Sequence, residues 1–205
     1  VESAYFVWVN GELAGYAEDS RLSSQFNITK LLKKGKNRLA VKVFRYSDGS
    51  YLEGQDYWKY SGIERSVYLY ARPQSRVKDF HMTADLIHKY KDGNLNLDIM
   101  LHQPQIGEKV EVKVLDKGQC IWMNEKNISS PNDTLFKTQH LFPNILPWNA
   151  ETPNTYLLVI NTFDKQGNAL ESFTHPFGFR SVEMRNGMQL INGKAVLFKG
   201  VNRHE

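Results

Sequence analysis

The sequence predicts a mainly β chain, all β as far as residue 180, and three observations carry that prediction. Short runs of alternating apolar and polar residues recur, such as Leu39, Val41 and Val43 against Ala40, Lys42 and Phe44, or Leu95, Leu97, Ile99 and Leu101 against Asn94, Asn96, Asp98 and Met100. This is the two-residue period of strands with one buried face. Asn-Gly dipeptides at 10–11 and 192–193 follow such runs, where a two-residue hairpin needs two positive φ angles. Before residue 180, apolar residues nowhere hold the three-four spacing of an amphipathic helix over three turns.

In chain order, the aromatic and β-branched run Tyr5 to Val9 reads as a strand, Asn10-Gly11 as its turn, and the stretch through Leu13 and Tyr16 as the return strand. A short segment from Phe26 to Leu32 follows, then a solvated turn at Lys33 to Asn37 and a half-buried strand from Arg38 to Phe44. The stretch Tyr51 to Tyr70 opens as a loop dense in carboxylates, amides and rings, and ends where Val67 and Leu69 begin another alternating strand. Pro73 and Gln74-Ser75 mark a linker. From Val77 to Arg180 the strands recur with turn signals between them, the rhythm of a β-sandwich. There Val110, Val112 and Val114 face inward while Lys109, Glu111 and Lys113 face water. Pro143 to Pro153 is an extended connection pinned by a buried Trp148, and Tyr156 to Phe163 is again a strand. Beyond Arg180, Met188 to Ile191, a tight Asn192-Gly193 turn and a strand from Val196 to Val201 begin a third unit.

The 205 residues suit two small domains. A composition 41% hydrophobic and 12% aromatic, with no long apolar run, describes a folded chain without a membrane segment. The net charge of +4 arises from 26 basic and 22 acidic residues scattered along the sequence, so no stripe exists to neutralise phosphates and nucleic acid is not an expected partner. A single cysteine, Cys120, excludes an intrachain disulfide; its setting among Gln119, Ile121 and Trp122 reads as an inert core thiol. The chain starts on a strand pattern at Val1, with no signal peptide in these residues, and stops just past an apolar run, so it reads as a piece of something longer. Its compartment is left open between cytoplasm and periplasm.

Neither a nucleophile elbow, nor a phosphate-binding glycine loop, nor a metal-ligand histidine spacing occurs. The loop after Tyr51 offers Glu53, Gln55 and Asp56 beside Tyr51, Tyr57, Trp58 and Tyr60. Carboxylates take hydroxyl hydrogens and rings cover the apolar C–H patches of a sugar. The same composition also suits an ordinary interdomain loop. One acid cannot carry retaining glycoside hydrolysis, which uses two carboxyls about 5–5.5 Å apart, so the loop binds without cleaving. His204 stands with Asn202, Arg203 and Glu205 just past an apolar run, where a parallel barrel places working side chains.

Four segments carry a resemblance: FVWVNGELAGYAEDSRLSSQFNIT, NRLAVKVFRYSDGSYLEGQDYWKYSGIERSVYLY, PWNAETPNTYLLVI and FGFRSVEMRNGMQLINGKAVLFKGVNRHE. In that order they resemble glycoside hydrolase family 2 and, within it, the large bacterial β-galactosidases of the lactose-cleaving type; from about Lys78 to Phe142 only the strand rhythm agrees. The resemblance implies that residues 1–73 are the later part of a sugar-binding jelly roll, 74–180 an immunoglobulin-like sandwich, and 181–205 the start of a catalytic TIM barrel, first strand included. The catalytic glutamates and most magnesium ligands would then lie in a barrel beyond residue 205, leaving this piece inactive alone and no catalytic residue within it. Asp56 matches the position that holds galactose hydroxyls and a sodium ion; His204 matches a histidine lining the substrate pocket, with Asn202 nearby. Gly54 and Tyr57 depart from the family pattern, which bears on subsite shape.

The resemblance thus implies a β-galactoside as sugar partner, the barrel as physical partner, magnesium and sodium in the parent but no cofactor held by this piece alone, and a homo-oligomeric parent. A free-standing carbohydrate-binding module, or a β-glucuronidase or β-mannosidase relative, is the alternative. The SDGSYLE, QDYW, SGI and NRHE strings favour the galactosidase.

Overall fold

The computed structural model describes residues 1–18, 22–53 and 58–202, and they form two compact units. Residues 1–70 together with Val201 and Asn202 belong to one, and Ala71–Gly200 make the other.

The first unit is built on β1 (Ala4–Val9), paired on one side with β2 (Glu12–Ala17) and on the other with β3 (Leu39–Phe44). The β1–β2 hairpin closes through Asn10 and Gly11, both at positive φ, with Val9 opposite Glu12. The Asn10 side chain then ties three segments: its Nδ2 donates to the Leu31 carbonyl and to Asn37 Oδ1 (2.8 Å each), and its Oδ1 accepts the Arg38 N–H (3.0 Å). Ala4, Val7 and Val9 are buried. The expected half-buried strand at 39–44 does form, but Leu39 is 55% and Val41 37% exposed. Alternation sets which side chains share a face, whereas burial needs a second layer over that face, and β3 is an edge strand. One helical turn follows, α1 (Ser50–Glu53). The strand expected around Val67 and Leu69 does not form; these residues are exposed, with no ladder partner among the described residues.

The second unit is a two-sheet sandwich. One sheet has the order β4–β5–β8, from β4 (Arg76–Ile87), β5 (Asp92–His102) and β8 (Leu135–Phe142). The other runs β10–β9–β6–β7, from β6 (Lys109–Asp116), β7 (Gln119–Asn127), β9 (Tyr156–Phe163) and β10 (Ala169–Phe177). Every pairing is antiparallel. The connections make it a Greek-key sandwich of the immunoglobulin type: β5 leaves its hairpin for β6 in the other sheet, and β8 returns to β5.

Leu95, Leu97 and Ile99 from β5 and Val112 and Val114 from β6 are fully buried between the sheets, as their alternation predicts. Phe179 closes the core at one end, its ring 5.4 Å from Phe142, 5.5 Å from Tyr156 and 5.3 Å from Phe177. Glu111 was expected in water but is buried. β6 lies inside its sheet, so Lys113 Nζ (2.7 Å) and Asn161 Nδ2 (3.0 Å) close over the carboxylate. The Lys113 hydrogen bond leads in holding its pKa below the ordinary value, against the opposing pull of burial.

Cys120 corrects another expectation, being exposed rather than in the core. A bulge pairs Leu115 with Cys120 but Val114 with Trp122, so Cys120 falls out of phase with the half-buried Trp122 at the end of an edge strand. Trp148 pins its proline-rich connection as predicted, though half-buried. Its N–H donates to the Phe179 carbonyl (2.8 Å), and the Arg180 guanidinium lies 5.1 Å over its ring.

A small meander of β11 (Val182–Arg185), β12 (Met188–Ile191) and β13 (Lys194–Ala195) ends the second unit. Tyr90 holds it: the hydroxyl hydrogen-bonds Glu183, and the ring lies so close to Gly193 that a Cβ there would sit 2.4 Å from Cε2. The predicted strand from Val196 to Val201 is not present. One further bond, Val196 N–H to the Gln189 carbonyl (3.0 Å), continues the meander, and residues 196–202 then carry no strand. A parallel barrel strand takes its hydrogen bonds from neighbours on both sides, and among the described residues it has none.

Candidate functional site

The stretch after β3 is held at both feet by the residues that lead into β1. Glu2 and Gly62 exchange backbone hydrogen bonds (3.1 and 3.0 Å), and the Ser3 N–H donates to the Phe44 carbonyl (3.1 Å). Three serines lock the near foot. Ser3 Oγ donates to Ser47 Oγ (2.5 Å) and Ser50 Oγ to Ser3 Oγ (3.0 Å), while the Ser47 N–H donates back to Ser50 Oγ (2.8 Å). With the Ser50 N–H donating to the Ser47 carbonyl (3.2 Å), that last bond closes a turn just ahead of α1. Ser3 and Ser50 are buried. On the far foot, Lys59 Nζ donates to the Ser50 carbonyl (3.3 Å).

Above these anchors the stretch presents its rings outward: Tyr51, Trp58 and Tyr60 are 89%, 75% and 63% exposed. Aromatic faces on fixed feet offer stacking surfaces, and the neighbouring carboxylates and amides of the sequence offer hydrogen bonds. Asp56 lies outside the described residues, and so do Gly54, Gln55 and Tyr57. His204, Arg203 and Glu205 also lie outside them. Asn202 is described: it is exposed and belongs to the compact unit that carries both feet of the loop.

A pair of acids stands beside the loop. Asp48 meets Glu18, whose hydrogen bond is the leading cause that holds the Asp48 carboxyl below its ordinary range, helped by the N–H groups of Asp48 and Gly49. The same Glu18 carboxylate accepts from Tyr16 and raises the phenol's pKa. Two carboxyls are short of a cation site, and no group of three His, Cys, Asp or Glu side chains converges among the described residues. No helix among the described residues is long and apolar enough to cross a membrane.

Sequence reasoning missed the serine lock and the Glu2–Gly62 bridge. The Ser47-x-x-Ser50 spacing just ahead of Tyr51 is the local signal of the turn; nothing local marks Ser3 as its third member.

Comparison with known proteins adds the family. The sugar binding domain of glycosyl hydrolases family 2 matches residues 1–73, and a second domain described as glycosyl hydrolases family 2 matches residues 75–180. β-Galactosidases from Vibrio vulnificus strain YJ016 and Clostridium acetobutylicum are each 43% identical over all of this chain, which covers 21% and 22% of their lengths. The chain therefore spans about a fifth of the relatives it matches. Among solved structures, a Parabacteroides merdae β-glucuronidase superposes with a TM-score of 0.84 at 21% identity over 99% of this chain and 27% of its own, a likeness of fold. A Bacteroides vulgatus β-glycosidase gives 0.77 at 26% identity, over 96% of this chain and 25% of its own.

Proposed function

The chain belongs to glycosyl hydrolase family 2, and from that premise we propose that it is the non-catalytic β portion of a β-galactosidase that hydrolyses terminal β-galactosides with retention. The observation that carries this reading is identity near 40% to named β-galactosidases along the whole chain. The β-glucuronidases among the solved structures stand near 21% and support the fold, not a change of sugar.

In this reading the loop on its serine feet delivers Asp56 to a pocket that a following barrel completes, with His204 and Asn202 lining it. The Asp56 carboxylate accepts sugar hydroxyl hydrogens, and the exposed rings beside it hold the loop in place or cover the sugar's apolar face. Proton transfer and nucleophilic attack, which retention divides between two carboxyls, belong in this reading to the barrel.

The test uses the full-length enzyme with nitrophenyl β-galactoside and nitrophenyl β-glucuronide. Galactoside is expected to be the substrate, and Asp56→Ala is expected to lower kcat/KM roughly 10- to 150-fold, the value of one charge-assisted hydrogen bond. Preference for the glucuronide would overturn the sugar assignment, and an unchanged Asp56→Ala enzyme would overturn the role of Asp56. The 205-residue chain alone is expected to show no turnover.

A further inference from the structure

The chain contains three Asn-Gly dipeptides, at 10–11, 186–187 and 192–193, and the structure makes all three the same turn. Each is a two-residue hairpin loop, closed by Val9 opposite Glu12, Arg185 opposite Met188, and Ile191 opposite Lys194. In each, asparagine sits at φ 51–54° and glycine at φ 74–89°. They differ in what holds the asparagine side chain.

Asn10 is fixed at both ends by the three bonds to Leu31, Asn37 and Arg38. Asn192 is likewise fixed at both ends: its Oδ1 accepts the Ser181 N–H (3.0 Å) and its Nδ2 donates to the Trp148 carbonyl (2.9 Å), while the Tyr90 ring roofs Gly193. Asn186 is exposed, its side chain makes no hydrogen bond among the described residues, and nothing lies within 4 Å of where a Cβ on Gly187 would stand.

We infer that Asn186 is the chain's site of spontaneous deamidation, an ageing position at the tip of the β11–β12 hairpin. The Gly187 backbone nitrogen, having lost its proton to solvent base, forms a bond to Asn186 Cγ. The C–N bond of the side-chain amide then breaks, and the nitrogen leaves as ammonia with a proton from water. Water opens the resulting cyclic imide at either carbonyl, giving aspartate or its β-linked isomer at 186. One water is consumed, one ammonia is released, and no electrons are exchanged.

The step requires Cγ to swing onto the next backbone nitrogen and the amide nitrogen to depart. At Asn10 and Asn192 that motion first breaks two or three hydrogen bonds, which slows it by roughly tenfold or more. At Asn186 only the turn itself resists. The β-linked product adds a backbone carbon to a loop whose register allows two residues, so it loosens the Arg185–Met188 closure.

The 205-residue chain is incubated in mildly alkaline buffer and digested at intervals, and the three Asn-Gly peptides are followed by mass spectrometry and isoaspartate assay. The Asn186 peptide is expected to convert at least about tenfold faster than the other two. In denaturant the three rates are expected to converge, because each asparagine precedes glycine, and Asn186→Gln is expected to remove the fast phase. Equal rates in the folded chain, no detectable conversion at 186, or faster conversion at Asn10 or Asn192 would each overturn the assignment.

Discussion

Gly93 and Phe179 form a pair whose coupling can be worked out in advance. Gly93 sits on β5 opposite Leu86 and Phe142, and a Cβ there would lie 2.7 Å from Phe179 Cδ1, 2.8 Å from Cε1 and 3.0 Å from Cγ. Its φ is not in the left-handed region, so alanine is strained only by the ring. Phe179 is fully buried and wedged among three aromatic side chains, so it cannot withdraw. Gly93→Ala should therefore destabilise the chain by about 1–3 kcal/mol, the range for overpacking a dense core. Phe179→Ala should cost about 3–5 kcal/mol through lost transfer energy and the cavity left behind. With the ring gone the clash vanishes, and Gly93→Ala should then stabilise by about 0.4–1 kcal/mol, because alanine restricts the unfolded chain. The coupling between the two substitutions is thus about 1.5–4 kcal/mol. Urea titrations of the wild type, both single variants and the double variant measure it, read as midpoint shifts at constant slope. If Gly93→Ala costs the same with and without the Phe179 ring, the steric account of this glycine fails.

Asn10→Ala, which removes three hydrogen bonds and places alanine at φ 54°, should cost about 2–4 kcal/mol. Asn10→Gly, which relieves the φ strain, should cost less, and urea midpoints separate the two effects. Asp133 accepts from the Ser129 N–H and Oγ and the Ser130 N–H at 2.9–3.0 Å, and these bonds bring its pKa from 3.8 to about 2. A lowered folded-state pKa favours the carboxylate, so its contribution is complete above about pH 5 and fades as pH falls through 3.8 toward 2. The stability gap between wild type and Asp133→Asn should therefore narrow over that window in acid unfolding curves, and a gap independent of pH would contradict the bonding.

Much of the sandwich was legible because β5 and β6 are inner strands of two facing sheets, each covered by the other, where the two-residue period and burial coincide. Leu95, Leu97, Ile99, Val112 and Val114 all fall where alternation puts them. The same period misjudged Leu39, Val41, Val67 and the run after Val196, because a period says which side chains share a face and is silent on whether another strand or layer comes to meet it. Cys120 failed for a finer reason, a bulge that moves one residue out of phase and leaves no mark in composition.

The loop divides along the same line. Its chemistry, acids and amides among rings, was readable at once, whereas that chemistry alone fits a structural loop as well as a sugar-binding one. What the structure adds is attachment. Ser3, forty-four residues before Ser47, closes a hydroxyl lock under α1, and Glu2 clamps the far foot at Gly62. A loop that merely spans two strands has no need of two buried serines and a backbone bridge at its base. Such anchoring leaves less conformational entropy to be lost on binding, which is why long-range contacts, invisible to any local pattern, bear on function as directly as the residues at the tip.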